Sequence, residues 1–361
     1  MNDMPTEIMA NIWSYLTFKD TCRIKRTNTR MRDLAMMPEL WQSITIPSQT
    51  LTNNLINTII ARGTKFLHIP QCSCRGDWHE FLEMQRFLMD NTSKLEYLGI
   101  QGFEGDDNIA ALIIHMSKNI TVLDLSETRF ALMTTIINAL PTSSTITALD
   151  LSAIGGHTTQ KLGDMYTNPL THNTVKLLID KCRQLTDLIM FGTKLTYDSI
   201  EYMCNHLTPT ILRLNIARER INNEDMKDLT RQCPRLQYIN ISETLVDYQA
   251  INDIVQGWRY SMINMSLPTR MGFILTLHPE APSIPRVAQF KSLIDSMPRL
   301  KFLHIGAYKF RHTDIMHRRR QVIKLSEMFP HLKFNINPFN TRGPVESDPY
   351  FLFKNIGRIR T

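Results

Sequence analysis

Long apolar runs are missing from this chain of 361 residues, although 43% of its residues are hydrophobic. No run approaches the roughly 18 residues that a membrane-spanning helix needs. The first residues, Met1-Asn2-Asp3, lead directly into a helical pattern, without the basic and apolar stretches of a signal peptide. We therefore expect a protein of the nucleus and/or the cytoplasm, with no membrane partner.

Cysteine is scarce, and the positions 22, 72, 74, 182, 204 and 233 do not suggest a disulfide framework. One cluster, made of His68, Cys72, Cys74 and His79, offers two imidazoles and two thiols that could ligate zinc tetrahedrally. The Cys-x-Cys spacing is tight for a structural zinc site, however. We expect an ordinary loop here, with no metal site and no cofactor.

Catalytic motifs are also missing. The sequence contains no Gly-x-Ser-x-Gly, no phosphate-cradling glycine loop and no His-Glu-x-x-His. We therefore predict no catalytic residue, and a binding protein rather than an enzyme.

What the sequence does contain is a repeat of the form Leu-x-x-Leu-x-Leu, with Ile or Met allowed. Clear copies begin at residues 95, 120, 146, 185, 211, 236, 262 and 300. The period is about 26 residues, twice lengthened by about 13, which lies in the range of leucine-rich repeats. Degenerate copies occupy 64–69 and 332–336. Helical patterns separate the copies, for example at 109–116, 174–182, 225–233 and 287–297.

This alternation predicts an α/β fold. A short strand and a helix cannot each bury an apolar side alone, so neighbouring repeats must stack. Strands stack about 4.8 Å apart, whereas helices need roughly 8–10 Å. The strands should therefore line the inside of a curve, giving a solenoid with a concave parallel sheet and helices outside. Arg213 and Tyr238 would face the concave side, and Arg220, Glu243 and Arg270 would follow the strands.

The first forty residues need separate treatment. Pro5 favours a helix start, Ile8, Ile12 and Leu16 follow at helical spacing, and the segment closes on Leu40-Trp41. A unit of roughly 40 residues cannot usually bury enough apolar surface to fold alone. We expect its apolar sides to be covered by the rest of the chain or by another protein.

The pattern Met-Pro-x-Glu-Ile-x-x-x-Ile-x-x-Tyr-Leu, closing with Leu-Ala-x-x-Pro-x-Leu-Trp, resembles an F-box over Met4 to Ile44. Together with the repeats, the chain resembles the F-box/leucine-rich-repeat substrate receptors of SCF ubiquitin ligases, and among them the S-phase kinase-associated receptors. The resemblance implies three parts: an F-box at 1–46, about ten leucine-rich repeats at 47–337, and a C-terminal tail at 338–361 folded back on the concave face.

The same resemblance implies a substrate-recognition subunit of an SCF-type cullin-RING E3 ubiquitin ligase. It would bind the SCF adaptor, and through it the cullin and RING subunits, with Met4, Pro5, Ile8, Ile12, Leu16, Leu40 and Trp41. The repeats would hold a cell-cycle regulator, phosphorylated or unmodified, such as a cyclin-dependent-kinase inhibitor, for ubiquitination and degradation. The substrate, or a small cyclin-kinase-subunit protein that helps to bind it, would contact Arg213, Arg220, Tyr238, Glu243 and Arg270. For Arg220, Glu243 and Arg270 the alternative is equally good: they are charged loop residues that face solvent and bind nothing.

Two other functions stay open. One is a ligase-independent scaffold, in which the N-terminal helices only cap the repeats. The other is a nucleic-acid-binding solenoid, suggested by the formal net charge of +7 and the basic residues between Lys309 and Arg320. No aromatic residue is interleaved in 317–320 for base stacking, which disfavours nucleic acid.

Overall fold

A computed structural model describes residues 4–13, 15–46, 50–74, 94–103, 114, 119–128, 133–140, 144–153, 170–268, 291–305, 326–327 and 329–335. The described residues fall into two units, the first up to residue 153 and the second from Leu170 onwards. The tail predicted at 338–361 and the basic residues between Lys309 and Arg320 lie outside the described residues. In the part of the chain that is described, no helix has the length and apolar character needed to cross a membrane.

Four short helical elements open the chain: α1 (Thr6–Trp13), α2 (Phe18–Ile24), α3 (Thr29–Ala35) and a 3-10 helix (Pro38–Trp41). Polar residues start the second and third helices. The side chain of Thr17 accepts a hydrogen bond from the amide of Asp20, and that of Asn28 accepts one from the amide of Met31. Both satisfy an amide that the helix itself leaves without a partner.

The remaining elements of the first unit are β1 (Ser43–Thr45), β2 (Thr50–Leu51), α4 (Asn53–Ala61), β3 (Phe66–His68), β4 (Ser73–Cys74), β5 (Tyr97–Gly99), β6 (Val122–Asp124), α5 (Met133–Ala139) and β7 (Ala148–Asp150). Strands β1, β3, β5, β6 and β7 pair in that order, and every pair is parallel. Strands β2 and β4 form a separate parallel pair.

The elements of the second unit are α6 (His172–Lys181), β8 (Asp187–Ile189), α7 (Tyr197–His206), β9 (Arg213–Asn215), α8 (Asn223–Gln232), β10 (Tyr238–Asn240), a 3-10 helix (Tyr248–Ala250), α9 (Ile251–Trp258), β11 (Asn264–Leu267), β12 (Phe302–Ile305) and β13 (Lys333–Asn335). Strands β8 to β13 pair in sequence order, again always in parallel.

All ten predicted copies of the repeat contain one of these strands, so the repeat prediction is confirmed. The second apolar position of the motif falls in the middle of the strand, where it lies opposite the same position of the next strand. The buried rows that result are Ile44, Leu67, Leu98, Leu123 and Leu149 in the first unit and Leu188, Leu214, Ile239, Met265 and Leu303 in the second. Stacked apolar rows of this kind give each unit a continuous core.

Strand β1 was not predicted. These residues lie within the F-box predicted at 1–46, whereas Ser43–Thr45 pair with Phe66–His68 of the first degenerate repeat. Trp41, Ile44 and Ile46 are all buried and occupy the three apolar positions of the motif, but a tryptophan stands where the other copies have Leu, Ile or Met. The N-terminal segment is therefore joined to the repeats through the backbone of a strand.

A left-handed backbone residue follows seven of the strands, always three residues after the strand ends, with φ between 52° and 67°. These residues are Gln71, Gly102, Glu127, Ala153, Gly192, Arg218 and Glu243. The amides of five of them, Gln71, Gly102, Glu127, Gly192 and Arg218, donate into the following repeat, as Glu127 N does to Ser152 O at 2.8 Å and Arg218 N to Ser242 O at 2.9 Å. Stacking therefore imposes this turn even where the residue is not glycine, at a cost of about 1–2 kcal/mol.

We predict that Ala153→Gly raises the free energy of unfolding by about 0.5 kcal/mol, because glycine adopts a positive φ without the strain that alanine suffers. Ala148→Gly, in strand β7 of the same repeat, is the matched control and should lower stability by about 0.5–1 kcal/mol. Urea unfolding of both variants measures the difference. Destabilisation by both substitutions to the same extent would contradict the proposed strain at residue 153.

Candidate protein-interaction site

Helix α1 is apolar on two sides. Met9 and Trp13, each 4% exposed, pack into the N-terminal segment, whereas Ile8 is 50% exposed, Ile12 47% and Tyr15, just past the helix, 82%. Ile8 and Ile12 are four residues apart, so they lie on the same side of the helix. We call Ile8, Ile12 and Tyr15 the apolar docking face. Exposed apolar side chains grouped on one helix are typical of a surface that packs against a partner.

The other predicted adaptor contacts are divided between surface and interior. Pro5 is exposed, and Met4 and Leu16 are half-buried. Leu40 and Trp41 are buried, and the indole N–H of Trp41 donates to a backbone carbonyl of the same segment. These last two residues therefore have a packing role within the segment, and their contact with an adaptor stays a prediction.

A group of polar and charged side chains lies on the strands of the second unit. Two nitrogens of the Arg213 guanidinium face Asp187: Nε donates to Oδ1, and Nη2 donates to Oδ2 at 3.0 Å. Thr186 Oγ1 also donates to Asp187 Oδ2, at 2.6 Å. Tyr238, which is buried, lies opposite Arg213 in the strand register. The charge of Arg213 is therefore compensated within the sheet, and the pair fixes the direction of its side chain.

The residues after strands β9 and β10 form what we call the rim cluster, which is Arg218, Arg220 and Glu243. Arg218 Nε donates to Glu243 Oε2 at 3.0 Å, and the Arg218 guanidinium lies 5.0 Å from the centre of the Phe191 ring. Arg220 is exposed and makes no hydrogen bond or ion pair with any other residue that the structure describes. The cluster thus presents a cation whose charge is not compensated by a described neighbour.

Glu219 anchors the backbone between the two arginines of the rim cluster. Its buried carboxylate accepts hydrogen bonds from the amides of Thr193 at 2.7 Å, Lys194 at 3.2 Å and Leu195 at 2.8 Å. Burial raises the pKa of Glu219, and these hydrogen bonds oppose the rise. Because the carboxylate ties its own repeat to the turn of the preceding one, it fixes the backbone that carries Arg218 and Arg220.

Residues 1–47 match the model of the F-box-like family. The N-terminal segment is F-box-like. The match agrees with the resemblance found over Met4 to Ile44, and the strand register shows that leucine-rich repeats follow the F-box-like segment. The domain boundaries predicted at residues 46 and 337 stay predictions.

Two solved structures are among those to which this chain is similar. An internalin (InlF) from Listeria monocytogenes is 12% identical, covers 91% of this chain and 92% of its own length, and has a TM-score of 0.39. The structure of a TLR13–ssRNA13 complex is 13% identical, covers 82% of this chain and 42% of its own length, and has a TM-score of 0.42. At these scores the fold assignment rests on the strand register of this chain itself.

The possible zinc ligands do not converge in the described part of the chain. Cys72 is buried, and its thiol donates to the carbonyl of Ile46 at 3.0 Å. The ring of His68 packs edge-on against Tyr97 at 6.3 Å. Among the described residues, no three His, Cys, Asp or Glu side chains are placed to hold a metal ion. His79 and the side chain of Cys74 lie outside them, as does Arg270 from the predicted substrate contacts.

Three residues of these surfaces were not among the contacts predicted from the sequence, although Tyr15 belongs to the F-box-like pattern. Tyr15 follows helix α1 and belongs to the docking face, Asp187 pairs with Arg213, and Glu219 holds a neighbouring turn. The signal for Asp187 is its position in the strand one repeat before Arg213, where opposite charges lie side by side. For Glu219 the sequence offers no such signal, because its partners are backbone amides.

We predict that Glu219→Gln lowers the free energy of unfolding by about 1–3 kcal/mol. Glutamine keeps one acceptor oxygen, but its NH₂ group faces a backbone amide and leaves that donor without a partner. Glu201→Gln, at an exposed position on α7, is the matched control and should change stability little. Urea unfolding of the two variants compares them. Equal midpoints would contradict an anchoring role for Glu219.

Proposed function

We propose that the protein is the substrate-recognition subunit of an SCF-type cullin-RING E3 ubiquitin ligase, acting in the nucleus and/or the cytoplasm. The observation that carries the proposal is the apolar docking face on an F-box-like segment. An F-box binds the SCF adaptor subunit, which connects it to the cullin and RING subunits. Ile8, Ile12 and Tyr15 supply the unburied apolar surface that such contact requires.

The proposed mechanism is one of proximity and needs no catalytic residue on this chain. The F-box-like segment holds the adaptor, the repeats hold a protein substrate, and a separate ubiquitin-charged enzyme is thereby kept close to the lysines of that substrate. Holding two reactants in one assembly replaces a bimolecular encounter with an effectively intramolecular one.

For the substrate we propose a phosphorylated cell-cycle regulator, such as a cyclin-dependent-kinase inhibitor. A small cyclin-kinase-subunit protein would help to bind it. Arg213, Arg220, Tyr238, Glu243 and Arg270 are the proposed contacts. The rim cluster supports this part of the proposal, because Arg220 is an exposed cation on an anchored backbone. An exposed guanidinium on an anchored backbone suits recognition of carboxylate or phosphate groups.

We predict that Ile8→Asp and Ile12→Asp each weaken binding of the purified SCF adaptor at least tenfold. Each puts a charge where an apolar contact would be buried, and interface anchors of this kind cost 1.4 kcal/mol or more. Thr29→Asp adds the same charge at an exposed residue in the first turn of α3 and is the control. Calorimetric titration of the intact chain measures the affinities. Absence of binding by the wild-type chain would overturn the proposal in favour of a ligase-independent scaffold.

We predict that Arg220→Glu weakens binding of a purified small cyclin-kinase-subunit protein about tenfold, or about 1.4 kcal/mol. The substitution reverses the charge of the rim cluster without touching the pair between Arg218 and Glu243. The control is Arg235→Glu, which reverses the charge of another exposed arginine. Equal affinities of Arg220→Glu and Arg235→Glu for that protein would contradict the proposed contact of Arg220.

A further inference from the structure

The junction between the F-box-like segment and the first repeat centres on one carbonyl oxygen. Ala35 is the last residue of helix α3, so its carbonyl has no partner within the helix. The indole N–H of Trp41 donates to this oxygen at 2.7 Å, and Nη1 of Arg62 donates to it at 3.4 Å. A helix end, the closing 3-10 helix and the first repeat therefore meet at Ala35.

Arg62, which belongs to the first repeat, contacts this carbonyl oxygen of Ala35. It follows the last residue of helix α4, and its guanidinium lies 3.9 Å from the centre of the Trp41 ring. Nη2 of the same group contacts the sulfur of Met36. A planar guanidinium can lie over an aromatic ring and donate from its edge at the same time, which the ammonium group of lysine cannot do.

Trp41 is also fixed on the F-box-like side. Phe18 of helix α2 packs edge-on against its ring, with 5.8 Å between the ring centres. The indole therefore contacts a helix of the F-box-like segment and the arginine of the first repeat. It is 3% exposed.

The backbone makes the other connection across the junction. The carbonyl of Gln42 accepts from the amides of Lys65 at 3.0 Å and Phe66 at 2.9 Å, and the amide of Ile46 donates to the carbonyl of His68 at 2.8 Å. These bonds fix where the chain enters the sheet. Arg62 adds a second attachment away from this strand, through Trp41 and the carbonyl of Ala35.

We propose that Arg62 is a positioning residue that locks the F-box-like segment onto the first repeat in a single orientation. The lock is the stack of its guanidinium on Trp41 together with the shared carbonyl of Ala35. Resting on the proposed function, the consequence is that a bound adaptor is held at a fixed angle to the first repeats. A fixed angle keeps the ubiquitin-charged enzyme over a limited set of substrate lysines.

The test is the distance distribution between two spin-labelled amino acids, placed at the exposed residues Thr29 and Asn138 of the intact chain. We expect a narrow distribution for the wild type and one at least twice as wide for Arg62→Ala. Arg62→Lys should lie between them, because lysine retains a cation over the ring but not the planar stack. Arg26→Ala removes an exposed arginine of the same segment and should leave the width unchanged.

An unchanged width in Arg62→Ala would overturn the proposal. If that variant does not fold, Arg62→Lys against Arg26→Ala decides the question, with equal widths counting against the lock. Adaptor affinity is measured on the same proteins and should stay unchanged, since the docking face is intact in all of them. If the proposed function is wrong, the wild-type chain does not bind the adaptor. If only the positioning role of Arg62 is wrong, adaptor binding is normal and the distance distributions of the variants are as narrow as that of the wild type.

Discussion

The parallel pairing of Ser43–Thr45 with Phe66–His68 is the interaction on which the rest of the structure depends. It places Ile44 at the head of the row of buried apolar residues that runs through the first unit. The F-box-like segment gains from the repeats the core that its own forty residues could not supply. Helix α1 is nevertheless covered on one side only, because Met9 and Trp13 are buried while Ile8 and Ile12 are exposed. The remaining apolar surface is what the proposed adaptor would cover.

Much of this could be predicted from the sequence, because the strands repeat one apolar pattern at a regular spacing. An apolar residue such as Leu214 or Leu303 is buried at the same position of successive repeats, so the spacing of the motif predicts how the strands stack. Residues Ile8 and Ile12 were identified in the same way, since their four-residue spacing places them on one side of a helix.

The rest depends on contacts that leave no pattern in the sequence. Strand β1 was missed because Trp41 stands where the other copies of the motif have Leu, Ile or Met, although Ile44 and Ile46 occupy the next two apolar positions. Hydrogen bonds between neighbouring repeats favour the left-handed turns, so glutamate or arginine occurs there as well as glycine. Trp41 was interpreted as an adaptor contact because the resemblance implied it. Its burial against Phe18 and Arg62 involves residues far apart in the sequence.

The central claim is that the docking face is covered by another protein and not by this chain. Hydrogen exchange of the intact chain with and without the purified SCF adaptor tests it most directly. The account predicts that the adaptor slows exchange of the amides in residues 6–16, while the amides of the strands in both units are unaffected. Protection confined to the strands, or no protection at all, would contradict it.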